Sequence, residues 1–192
     1  MTQSLELWLV RHGETAANAG HIIAGWTDID LNDTGKTQAQ AAGKIIKKEH
    51  FDGVWSSDLQ RTIHTARLAY GEPVQDARLR EMNFGDIENC HIDDISLDVK
   101  KTLLKFVNFK APGGEHQDEF RDRVLGFADT LCPGRHLVFT HGGVIRMFTQ
   151  DLGEDRFINN GGIIAVDWTR KKILFVKEVS KNSPFSNAYP SK

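Results

Sequence analysis

Residues 7–15 read Leu7-Trp8-Leu9-Val10-Arg11-His12-Gly13-Glu14-Thr15, an apolar run of strand length that ends on a cation, a histidine and a glycine. A run without polar alternation suits a strand buried on both faces, as in a parallel sheet covered by helices. A second run, Leu137-Val138-Phe139, ends in the same way on Thr140-His141-Gly142-Gly143. In open parallel sheets, ligands bind outside the carboxyl ends of the strands, so both histidines are expected at one crevice. A histidine beside an arginine, facing a second histidine, suits a doubly charged phosphate.

Outward from the first run, a glycine-punctuated loop from Gly13 to Leu31 leads to a helix that Asp33 or Thr34 is expected to cap. Ala39, Ala42 and Ile46 follow at helical spacing. Phe51 to Trp55 reads as a buried strand closing on Ser56-Ser57-Asp58, and Leu59, Ile63, Ala66 and Tyr70 form the stripe of the next helix. After a short extended piece near Val74, the residues Ile92, Ile95, Val99, Leu103 and Phe106 predict an amphipathic helix over 92–109, broken by Pro112-Gly113-Gly114. Phe120, Val124, Phe127 and Leu131 mark another helix. It is followed by the His136 to Thr140 strand and a helix carrying Val144, Phe148 and Leu152. Ile163 to Trp168 and Ile173 to Val179, joined by a charged turn, predict a closing hairpin on the sheet. The alternation predicts an α/β fold: a three-layer sandwich with a mostly parallel sheet, helices on both faces and a C-terminal hairpin. Residues 1–179 are expected to form a single domain, and the polar segment 180–192, with its two prolines, a poorly ordered tail.

At 192 residues with a formal net charge of −2, the chain has no global attraction for nucleic acid or anionic membranes, so neither is expected as a partner. Affinity for phosphate has to come from a local basic cluster. Met1 to Glu6 lacks the charged-then-apolar pattern of a secretory signal, and a cytoplasmic location is expected. Cys90 and Cys132 have no C-x-x-C spacing and read as a reduced pair. Gly35-Lys36-Thr37 looks like the end of a nucleotide-binding P-loop, but Asp30 stands where the required glycine would be. No histidine falls in an H-E-x-x-H pattern and the carboxylates are not gathered as Mg²⁺ ligands, so neither metal nor other cofactor is expected.

Four segments carry the candidate chemistry: Arg11-His12-Gly13 with Asn18; Ser56-Ser57-Asp58-Leu59-Gln60-Arg61-Thr62; Leu79-Arg80-Glu81-Met82-Asn83-Phe84-Gly85; and His141-Gly142-Gly143-Val144-Ile145-Arg146. Each has an ordinary alternative. His12 could be a hydrogen-bonded core histidine, Arg61 could pair with Asp58, and Glu81 with Arg78 or Arg80. Arg61 would lie in the first turn of its helix, where the macrodipole disfavours a cation unless an anion sits nearby.

In this order, the segments resemble the histidine phosphatase superfamily, the phosphoglycerate-mutase-like enzymes that pass a phosphoryl group through a covalent phosphohistidine. The resemblance implies His12 as the nucleophile, Arg11 and Arg61 as phosphate-gripping forks, and Asn18 and the Gly142 N–H as part of the cradle. It implies Glu81 as a general acid, its pKa raised toward the working range, that later serves as base. His141, kept protonated by the dianion, would stabilise the transferring group. Gly25-Trp26-Thr27-Asp28 and Pro112-Gly113-Gly114-Glu115 look most like the small bacterial phosphatases of the alpha-ribazole phosphatase type, with Trp26 expected to contact substrate. The chain departs from the family pattern at Glu88-Asn89, where Glu-Gly is common, and at His116, where Ser is usual. The departure at Asn89 bears on the turn that follows the acid, and His116 is expected near the pocket rim.

Between Gly85 and Gly113 the chain carries Lys100, Lys101, Lys105 and Lys110 but no arginine pair for a second anion. A phosphatase acting on a small phosphorylated metabolite is therefore expected, as a monomer or homodimer. A cofactor-dependent phosphoglycerate mutase and a catalytically silent phospho-ligand binder are the alternatives. The predicted 92–109 helix is expected to form a lid or pocket wall, with Ile95, Val99, Leu103 and Phe106 in the core and specificity on its other edge.

Overall fold

A computed structural model describes residues 4–179. The expected 180–192 tail lies outside the described residues. The apolar runs form the strands β1 (Leu5–Arg11), β2 (Gly53–Ser56), β3 (Val74–Gln75), β4 (Gly134–Thr140), β5 (Ile163–Asp167) and β6 (Lys172–Lys177). They make one sheet of six strands in the order β3-β2-β4-β1-β5-β6. The first four elements of that order run parallel, and the closing hairpin adds β5 antiparallel to β1 and β6 antiparallel to β5. This is the α/β arrangement the alternation predicts.

The helices are α1 (Ala16–Ala19), α2 (Asp33–Ile46), α3 (Gln60–Ala69), α4 (Leu97–Lys105), α5 (Gln117–Ala128) and α6 (Gly142–Asp151). Side-chain alternation along the strands divides the core. Leu7 and Leu9 of β1 and Val138 of β4 pack with Phe120, Val124 and Phe127 of α5 and Phe148 of α6. Trp8 and Val10, with Leu137 and Phe139, pack on the other face against Ala42 and Ile46 of α2 and Ala66 of α3. Each fully buried Leu, Val or Phe contributes roughly 1.5–3 kcal/mol. At the sheet edge, β6 alternates exposed and half-buried residues and begins and ends on lysine, which discourages pairing with another edge. Among the described residues, no helix is long and apolar enough to cross a membrane.

Two helix boundaries differ from the sequence reading. Asn32, rather than Asp33 or Thr34, caps α2, its Oδ1 accepting the Gly35 N–H at 2.8 Å; Asp33 is already helical. The predicted 92–109 helix is reduced to α4, capped by the Ser96 hydroxyl on the Val99 N–H. In place of its first turn, the chain leaves the His91–Ile22 bridge through a tight turn closed by the Asp94 N–H on the His91 carbonyl at 2.9 Å, and Ser96 is extended (ψ 147°) before the helix starts. Its end is set by Phe106, which adopts a left-handed conformation (φ 51°). No residue of α4 itself is fully buried, but Val99 and Leu103 are half-buried and pack against the core, which Phe106, just after the helix, enters.

Candidate active site

The register of the two central strands delivers the histidines. Arg11 lies opposite Thr140 in the parallel β1–β4 pair, and the His12 N–H donates to the Thr140 carbonyl at 2.9 Å. The rings of His12 and His141 consequently meet edge-on with centroids 5.2 Å apart. Both are buried. His12 Nδ1 lies 2.7 Å from the Gly13 carbonyl oxygen. A carbonyl can only accept, so Nδ1 carries the proton and Nε2 keeps its lone pair. Burial, reinforced by Arg61 and Arg11, holds the His12 pKa well below the ordinary histidine value, so the ring is neutral and nucleophilic at pH 7. Burial also lowers His141, with Arg61 and His12 adding to the effect, and neither of its ring nitrogens has a hydrogen-bond partner.

Two guanidinium groups complete the pocket floor. Arg11 Nη1 donates to the Ile158 carbonyl at 2.8 Å, and its carbon lies 4.8 Å from the Phe157 ring centre. Burial lowers its pKa to about 10, against the opposing pull of Glu81, so it remains cationic at neutral pH. Arg61, in the first turn of α3, donates to the carbonyls of Thr27 at 2.9 Å and Gly25 at 2.7 Å. Its expected alternative partner, Asp58, is instead held by Arg80 at 2.7 and 2.6 Å. Neither Arg11 nor Arg61 has a carboxylate within 4 Å among the described residues, and Nε of each is buried without a partner. Buried cations left unpaired are destabilising by several kcal/mol. A bound anion would offset that cost.

Glu81 faces this cluster. Its Oε2 accepts the Gly143 N–H at 3.0 Å, at the start of α6, and its Oε1 accepts the Met82 N–H at 3.0 Å. A Cβ at position 143 would sit 2.2 Å from Oε1, so the carboxylate requires the second glycine of His141-Gly142-Gly143. Arg78 is engaged by Asp76 and Arg80 by Asp58, which leaves Glu81 without the ion pair its ordinary reading needs.

Behind the acid loop, Arg123 of α5 donates to the carbonyls of Arg78, Arg80 and Glu81 at 2.9, 2.8 and 2.8 Å, and is itself held by Glu115 at 2.6 Å. Trp26 joins it, donating its indole N–H to the Glu81 carbonyl at 2.7 Å, with Arg80 over its ring at 4.9 Å. Trp26 is not among the residues that line the pocket; it buttresses the backbone at Glu81. Asn89 takes φ 65°, a conformation Asn tolerates better than most residues, so the turn survives the loss of glycine there. His116 is likewise away from the pocket and caps α5, accepting the Asp118 N–H.

Asn18 lines the pocket. Its Oδ1 is occupied by the Thr15 N–H at 3.1 Å and Asn160 Nδ2 at 3.3 Å, which leaves the amide N–H groups as its donors. Gly142 also lines the pocket. Several functional contacts escaped the sequence reading. Asn160 ties the His12 carbonyl (3.1 Å) to Asn18, and Thr65 accepts the Gly13 N–H (3.0 Å) while donating to the Arg61 carbonyl (2.6 Å). Thr65 follows Arg61 by one helical turn, a spacing that could have suggested it; Asn160 lies in a loop with no pattern.

The resulting cavity, about 160 Å³, has Arg11, His12, Asn18, Arg61 and Glu81 at its floor and Leu103 and Phe106 on its wall, so these two residues of the stripe serve core and pocket together. None of Lys100, Lys101, Lys105 and Lys110 lines it.

The model of the histidine phosphatase superfamily (branch 1) matches residues 7–178. The chain is 38% identical over 150 residues to the Escherichia coli protein named "Probable phosphoglycerate mutase GpmB", covering 72% of this chain and 70% of that one. The TTHB049 structure from Thermus thermophilus superposes with a TM-score of 0.86 at 38% identity, covering 93% of this chain and 98% of that one. A candidate alpha-ribazole-5'-P phosphatase from Escherichia coli superposes with a TM-score of 0.79 at 27% identity, covering 93% of this chain and 100% of that one.

Proposed function

Because this chain belongs to the histidine phosphatase superfamily, we propose that it is a phosphoric monoester hydrolase working through phosphohistidine at His12, without a metal, in the cytoplasm. The observation that carries the reading is the neutral His12, its Nε2 lone pair unblocked, set beside two buried guanidiniums that lack a carboxylate. In the first step, Nε2 forms a bond to phosphorus as the ester P–O bond breaks, and Glu81 gives a proton to the departing alkoxide. Arg11, Arg61, Asn18 and the start of α6 hold the equatorial oxygens. His141 takes up a proton as the dianion enters, countering the lowering that Arg61 and burial impose on it when the pocket is empty. In the second step, water attacks the phosphorus, Glu81 accepts its proton, and the P–N bond breaks to return neutral His12 and inorganic phosphate.

The proposed substrate is a small phosphate monoester, with alpha-ribazole phosphate the first to test, since a candidate phosphatase for it is among the structural neighbours. A phosphate-release screen across alpha-ribazole phosphate, phosphoserine, 3-phosphoglycerate and sugar bisphosphates, run with EDTA present, tests the reading. Phosphate release in EDTA supports it. Loss in EDTA restored by Mg²⁺ or Zn²⁺ overturns its metal-free part. Isomerisation of 3-phosphoglycerate outrunning phosphate release, with catalytic 2,3-bisphosphoglycerate supplied, would move the chain to the mutases. The absence of Lys100, Lys101, Lys105 and Lys110 from the pocket lining supports water as the acceptor.

A further inference from the structure

Above the charged floor, the pocket changes character. Ile22 from the loop after α1, Phe84 beyond the acid, Ile92, and Leu103 and Phe106 at the end of α4 form an apolar wall around its mouth. The cation set into this wall, Arg146, is fully engaged by its neighbours. Asp155 takes it in a fork at 2.8 and 2.6 Å, the Leu104 and Lys105 carbonyls accept from it at 3.2 Å, and it lies 4.6 Å from the Phe106 ring centre. His21, also on the wall, is stacked on His91 with centroids 5.9 Å apart. Phe106 is held in place although its φ of 51° is unfavourable for a bulky residue, with its carbonyl accepting from Gln117 at 2.6 Å and Gln150 at 3.3 Å. The wall is thus pinned from behind, and Ile22 remains 37% exposed at its edge.

A substrate carrying a second anion would have to desolvate its charge against this surface or draw Arg146 away from Asp155. An apolar body would instead leave water for a preformed apolar surface. We infer that the substrate is a phosphate monoester whose alcohol part carries an apolar body, seated against Ile22, Phe84, Ile92, Leu103 and Phe106. As a statement about turnover, this rests on the phosphatase reading; as a statement about the pocket, it can be tested by binding.

The experiment is calorimetric titration of the full chain with methyl-, propyl- and hexylphosphonate and with 3-phosphonopropanoate, alongside phosphate release from hexyl phosphate. Affinity should rise about fourfold for each methylene that seats on the wall, or roughly sixtyfold for three. Propylphosphonate should bind more tightly than 3-phosphonopropanoate. Leu103→Asn, at a half-buried position, should flatten the alkyl series; the wild-type series remains decisive if that variant does not fold. A series flat to within about twofold, or tighter binding of 3-phosphonopropanoate than of propylphosphonate, would overturn the inference. A rising series without phosphate release would support the apolar wall and overturn the phosphatase reading instead.

Discussion

At His12, one carbonyl decides which nitrogen can react. The 2.7 Å contact from Nδ1 to the Gly13 oxygen presents Nε2. His12→Ala should lower kcat by at least about 10⁴-fold while leaving the fold intact by circular dichroism. Rapid quench with labelled substrate should find acid-labile phosphate on His12 of the wild-type chain; label on Ser57 or Cys90 would contradict the mechanism. Glu81→Gln should slow alkyl phosphates by about 10²–10³-fold and aryl phosphates far less, because aryl leaving groups scarcely need the proton. Equal losses on both would reassign Glu81 to binding or structure. His12, Arg11, Arg61 and His141 could be picked out in the sequence because they close strands or open helices, where position itself carries information; Glu81 lies in a loop and is reached through the resemblance of its segment. The Gly13 carbonyl could not be picked out, since every residue has one. Trp26 was read as a substrate contact from the likeness of Gly25-Trp26-Thr27-Asp28, but nothing in the sequence tells that its indole N–H is spent on the Glu81 carbonyl.

At the scale of elements, the acid loop depends on α5. Arg123 holds the carbonyls of Arg78, Arg80 and Glu81 and the Glu115 carboxylate at once, so its planar fork matters more than its charge. Arg123→Lys should destabilise the protein by roughly 2–4 kcal/mol in urea unfolding. It should also raise the ratio of aryl to alkyl phosphate turnover, because a loosened loop impairs proton delivery more than phosphoryl binding. An unchanged ratio would make Arg123 a stabilising residue with no part in positioning the acid. The strands and most helices could be read from the sequence because their periodicity agrees with their packing. The helix placed at 92–109 failed for a specific reason. Ile92, Ile95 and Val99 have helical spacing, but the 91–92 backbone is paired with the loop after α1, a contact between segments far apart in the chain that local periodicity does not encode. The same pairing turns Ile92 toward the pocket rather than into a helical stripe.

For the whole molecule, the cluster of buried bases links stability to pH. The folded-state pKa values of His12 and His141 lie well below 6.5, so below that pH the unfolded chain binds protons that the empty folded chain does not. Their contribution to stability is complete above pH 6.5 and is lost as pH falls, at about 1.4 kcal/mol per pH unit for each histidine. Urea unfolding between pH 5 and pH 8 should show this slope. It should be about halved in the His12→Ala chain and reduced by saturating vanadate, which keeps the site charged. A slope unchanged by both would place the titrating groups elsewhere. The sheet order has another consequence. β1 is made before either of its neighbours, yet it lies between β4, which begins at residue 134, and β5, which begins at residue 163. During synthesis β1 therefore waits, apolar and unpaired, until most of the described chain has been made. Until β5 has been made, the strand that ends at His12 lacks one of its two neighbours, so the pocket at its end is assembled late in synthesis.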